Sequence, residues 1–195
     1  MFITALGLAV SLAAAPADAS LRVAVTFDSG ASPSLRAAVI EEAARIWAPY
    51  HVAIGMDPAP ITLHVSFVER PAARLNDHSL GSIDFCDGVP ESAISLYAGT
   101  AAELVWSASQ MTGPHWPEGY KDVLLRRVLG RALAHEIGHF LLRTTSHSPE
   151  GLMSAVQAVV DLMAVDDRKL ALTAHDQDVL KQALSTLTPD TAPRR

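Results

Sequence analysis

A single cysteine, Cys86, stands among 195 residues, so no intrachain disulfide can form and stability must come from a core or a bound metal. No run of Lys or Arg is long enough for a nucleic-acid footprint, and the formal charge of -6 makes polyanions poor partners. Beyond the N-terminus, no stretch reaches the roughly 18 to 20 uninterrupted apolar residues of a membrane span. There is no internal repeat and no low-complexity linker. There is also no G-x-S-x-G elbow, so Ser146 beside His147 is not a nucleophile with its base.

What is present suits one domain. The opening "MFITALGLAVSLAAAPADA" carries one charge, Asp18, and ends with Ala17 and Ala19 in an A-x-A arrangement. That reads as a signal peptide over 1–19 cut before Ser20, which places the mature chain outside the cell or in a periplasm; the alternative is a buried N-terminal helix. The domain then occupies 20–188, and 189–195 is a flexible tail.

Alternation and β-rich composition predict strands at Leu21–Phe27, His51–Met56, Ile61–Phe67, Leu80–Phe85 and Ser92–Ala98. A helix follows the first strand, with Ser32 as N-cap and Pro33 at its first position. Thr100–Ser109 suggests a short helix, and Gln110–Tyr120 a loop. From Lys121 to Leu142 apolar residues recur at three and four for some six turns, the longest helix in the chain. Thr173 and Asp176 form a capping box for a last helix. The fold class is therefore α+β: a mixed sheet of about five strands, one long helix and a C-terminal helix.

Chemistry concentrates in "HEIGHFLLRTTSHSPEGLM", His135 to Met153. His135 and His139 are four apart on the predicted helix, so they leave one face with Cβ atoms about 5 to 6 Å apart. Two imidazoles so placed can share one ion at roughly 2.0 to 2.1 Å each. Glu136 is one step round, beside the metal, where its carboxylate can take a proton from water. With eight His in the chain, such a motif arises by accident on the order of once per hundred sequences of this composition. The surrounding Leu133, Ile137, Phe140 and Leu141 point to a buried helix, where unpaired polar groups are costly.

A catalytic zinc takes three protein ligands and keeps one position open. His147 is the nearest third candidate, with Asp161 and Glu150 as competitors. Were the helix to continue, His147 would lie about 12 Å further along the axis. The helix must therefore end between Leu142 and Ser146, where Thr144, Thr145, Ser146 and Pro149 disfavour it.

This block resembles the metzincin clan of zinc endopeptidases, its "HS" and "LM" most like the matrixin and archaemetzincin branches. The resemblance implies His135 and His139 as helix ligands, Glu136 as general base, Gly138 as a frequent residue of the motif and Met153 as the Met-turn methionine. Leu142 stands where the family has its turning glycine and Thr145 where it has its third histidine, so His147 comes two residues late. A longer loop could reverse the chain without a positive φ. The order of strands and helices also follows the clan, which implies that "SAISLYAG" offers its edge to an extended substrate. "FCDGVPE" resembles a matrixin cysteine switch, but Asp87 interrupts it, and a plain, partly buried thiol is the preferred reading.

"VTFDSGAS" resembles the catalytic loop of aspartic proteases. That chemistry needs a second such carboxylate, which the chain lacks, so Asp28 is read as a turn residue. His51, His64, His78, His115 and His175 are read as surface or satisfied core residues, and Trp106 and Trp116 as packing residues. The expectation is an exported zinc endopeptidase with one catalytic Zn2+ acting on protein or peptide substrates. The rival is a secreted zinc-stabilised binding or scaffold protein, against which Glu136 argues because a structural ion does not need it.

Overall fold

A computed structural model describes residues 21–72, 78–111 and 116–187. The expected leader at 1–19 and tail at 189–195 lie outside the described residues, as does His115.

Apolar alternation builds the sheet. β1 (Leu21–Phe27) buries Val23 and Val25 and pairs in parallel with β2 (Val52–Gly55) and β3 (Ile61–Val68). Between β1 and β2 runs α1 (Pro33–Trp47), capped by Ser32, whose hydroxyl accepts from the Leu35 N–H at 3.2 Å. β4 (Gly81–Cys86) and β5 (Val89–Tyr97) are antiparallel, and β5 lies parallel to β3. The sheet order is β2-β1-β3-β5-β4. Asp87 and Gly88 make the two-residue hairpin at φ 50° and 77°, the positive angles such a turn requires.

Helices follow: α2 (Ala98–Met111), α3 (Glu118–Leu142), the short α4 (Val159–Met163) and α5 (Ala174–Leu187). The core joins Leu63, Ile94 and Leu96 of the sheet to Leu129, Leu133, Ile137 and Leu141 of α3. Trp47 closes α1 onto α3 by donating its indole N–H to the Ala134 carbonyl at 3.0 Å. The capping box on α5 is reciprocal: Asp176 N–H donates to Thr173 Oγ1 at 3.2 Å and Thr173 N–H to Asp176 Oδ2 at 3.3 Å. The fold is α+β, a five-stranded mixed sheet with one antiparallel pair packed against helices.

Several expectations need correction. β5 lies between β3 and β4, so the strand containing "SAISLYAG" is not an edge; the edges are β2 and, on the side of β5, β4. α2 is a full 14-residue helix following β5 directly, and α3 begins three residues before Lys121, because Pro117 supplies the break at its N-cap. Cys86, at the hairpin tip, is exposed. Trp106 is 56% exposed, whereas Trp116 packs against the core and sits edge-on to Tyr120. Asp28 does form a turn, its Oδ1 accepting from the Gly30 N–H. Among the described residues, no helix is long and apolar enough to cross a membrane.

Candidate metal centre

α3 carries His135 and His139 on one face, as i,i+4 spacing requires, and stops at Leu142. The reversal uses a positive φ after all: Arg143 adopts the left-handed conformation at φ 53° and φ-reversal is not spread over a longer loop. Thr144 N–H then donates to the His139 carbonyl at 3.3 Å, and Ser146 N–H to Thr144 Oγ1 at 3.0 Å. This tight return brings the His147 ring within 5.3 Å of His135 and 4.9 Å of His139, centroid to centroid.

One donor atom from each of the three rings lies within 4.8 Å of the other two. His139 is buried, His135 half-buried and His147 exposed, so the group opens to solvent on one side. The hydrogen bonds define the tautomers. His135 Nδ1–H donates to the Leu152 carbonyl and His139 Nδ1–H to the Thr144 carbonyl, each at 2.7 Å. A carbonyl only accepts, so in each neutral ring the proton is on Nδ1 and Nε2 presents a lone pair. The two Nε2 atoms face each other at 3.0 Å. Two acceptors at that distance repel unless a cation lies between them. A tetrahedral ion bonded to both at about 2.05 Å would set them about 3.3 Å apart, so the residues fit a metal ion.

The electrostatics agree. Burial, then the neighbouring His139, pushes the His135 pKa down to about 4, and burial also lowers that of His139. Both rings are thus held neutral, the ligating form. Glu136, 5% exposed, turns toward β4, where the Ile83 N–H donates to it; burial outweighs that bond and raises its pKa to about 8. A nearby cation would draw this value down.

An open cleft of about 750 Å³ runs over the three rings. Its lining includes Gly81, Ile83 and Phe85 of β4 and Val156, Val159 and Leu162 from the chain after Met153. Among the described residues, the three histidines are the one group placed to share an ion; neither Glu150 nor Asp161 belongs to it. His51, His64, His78 and His175 are exposed and outside it, although His78 borders the cleft.

Sequence reasoning missed the supports behind the rings. Ser148, next to His147, donates its hydroxyl to both carboxylate oxygens of buried Asp176 at 2.8 Å, and its N–H to the Met153 carbonyl at 2.8 Å. Only the local half of Asp176's role, the capping box, could be seen in the chain. Ser148→Ala is expected to weaken the binding of any metal ion held by the three rings about tenfold without unfolding the protein, as loss of outer support usually does. Competition against a chelating dye checks this.

Met153 is 1% exposed and its sulfur lies against Gly138, where any Cβ would collide with it. The glycine inside the motif is therefore a packing requirement. Gly138→Ala should cost about 1 to 3 kcal/mol in a urea titration, because sulfur and helix must separate.

A scan against protein-family models found no match, and searches of curated proteins and of solved structures found none either.

Proposed function

We propose that the chain is an exported zinc-dependent endopeptidase of metzincin-like architecture. His135, His139 and His147 hold one catalytic Zn2+, Glu136 is the general base and Met153 is the Met-turn methionine. The observation that carries this reading is the pair of Nε2 lone pairs facing each other beside His147, with a glutamate next to them in an open cleft. The leader-like segment before Ser20 supports export.

Zinc, when bound, supplies Lewis acidity for polarising a carbonyl and acidifying water. Glu136 accepts the proton of the attacking water and returns it to the leaving amine. His135 and His139 keep their rings fixed through the carbonyls of Leu152 and Thr144, so that little reorganisation accompanies each turnover. β4 orients the substrate. Leu80 accepts from the Tyr97 N–H, so Gly81 and Ile83 direct their main-chain groups to the open edge; with the Ile83 N–H held by Glu136, the Gly81 groups and the Ile83 carbonyl are left for an extended peptide to pair with.

The test is direct. Expressed from Ser20, the chain should bind one zinc per molecule and cleave an unstructured protein until a chelator is added, with activity returning on zinc addition. Stoichiometric zinc without chelator-sensitive cleavage would support the binding-protein alternative instead.

A further inference from the structure

Arg131 precedes His135 by one helical turn, and its side chain has no exposed surface. A guanidinium in that position must be paired and fully hydrogen-bonded. Its Nε donates to Glu42 Oε1 of α1 at 2.7 Å. Nη1 donates to the Asp161 carbonyl, and Nη2 to the carbonyls of Ala164 at 2.8 Å and Asp166 at 3.5 Å. Glu42 is itself held by Arg45 at 2.7 Å, and Arg45 reaches Asp167. Carboxylate and guanidinium thus form a clasp joining α1, α3 and the segment 158–167.

Apart from the clasp, that segment is held by Arg127 of α3, whose Nη1 donates to the Met163 carbonyl at 2.7 Å, and by partly buried Met163 against the core. Its other apolar residues are open: Val159, Val160 and Val165 are 39%, 72% and 80% exposed, which leaves Leu162 as its one fully buried apolar side chain. Val159 and Leu162 nevertheless line the cleft. Hydrophobic burial alone would leave such a wall loosely placed, whereas carbonyls gathered by a planar fork have one geometry.

We propose that Arg131, set by Glu42, is a positioning residue that fixes residues 158–167, and with them the part of the cleft wall made by Val159 and Leu162. Substrate fit depends on this clasp, while metal binding and proton transfer do not. The kinetic consequence rests on the peptidase reading; the structural consequence does not.

The experiment compares the wild type with Glu42→Gln/Arg131→Met, which removes both charges together and so strands neither in the interior. Three quantities are measured: zinc affinity, amide hydrogen exchange by segment, and KM and kcat for an unstructured peptide. Zinc affinity should be unchanged, exchange across 158–167 should rise about tenfold or more while that of β4 does not change, and KM should rise several-fold at constant kcat. Unchanged exchange at 158–167, exchange raised evenly across the molecule, or a fall in kcat with KM constant overturns the proposal. Arg131→Lys keeps the charge beside Glu42 and gives up the fork. It should reproduce the same local pattern, and it decides the matter if the double variant does not fold. Absence of peptide cleavage by the wild type counts against the peptidase reading alone, because the exchange result still decides the clasp.

Discussion

Glu136→Gln is expected to lower peptide-bond hydrolysis by roughly 10²- to 10⁴-fold while one zinc per molecule stays bound. Glutamine matches the shape of the glutamate and can still accept from the Ile83 N–H, but its amide takes no proton at neutral pH. Glu136 is not among the three converging donors, so the metal should not notice the change. The variant should also be no less stable. Burial raises the Glu136 pKa from 4.5 to about 8, so the folded metal-free chain loses stability as pH rises through that interval, where the unfolded carboxyl ionises freely and the folded one does not. Glutamine removes that cost. The metal-free variant should therefore melt at or above the wild-type temperature at pH 8, the gap narrowing toward pH 5. A catalytic loss accompanied by loss of zinc, or no loss at all, would remove Glu136 from the mechanism.

His147→Ala is expected to reduce zinc affinity by roughly 100-fold or more, exceeding the usual effect of an outer hydrogen bond. The ring is exposed, stacked on His135 and edge-on to His139, so its removal should leave the metal-free fold within about 0.5 kcal/mol of the wild type. The change appears once zinc is added. A 100-fold weaker site forfeits about 2.7 kcal/mol of metal-linked stabilisation at saturating zinc, visible as a much smaller rise in melting temperature. Calorimetric titration measures the affinity directly. Unchanged affinity would return the third position to a carboxylate such as Glu150 or Asp161, against the geometry seen here.

The two predictions rest on unequal foundations. The shared face of His135 and His139, with Glu136 one step round, could be read from spacing because helical geometry is local: residues four apart share a face whatever the helix packs against. The end of α3 at Leu142 falls at the near edge of the Leu142–Ser146 window for the same reason, since Thr144, Thr145, Ser146 and Pro149 disfavour helix by their own conformational preferences. The manner of reversal was not legible. Arg143 pays for a left-handed conformation that a glycine would take freely, and that choice depends on His147 and Thr144 being drawn back toward His139. The hairpin at Asp87-Gly88 was readable as a two-residue turn signal but went unread, and with it the identity of the edge strand.

Arg131 shows the boundary most plainly. In "LGRALAHE" a charge interrupts a buried face, a local sign that something must neutralise it, yet nothing nearby does. The partner, Glu42, lies 89 residues away, and the carbonyls it gathers lie 30 to 35 residues ahead. By itself the sequence determined the α+β succession, the paired histidines and the glutamate between them, because period and capping act over a few residues. Only the tertiary structure decided that β4 is the open edge, that Asp176 anchors Ser148, and that His147 returns to the pair, because each depends on which distant surfaces the core brings into contact.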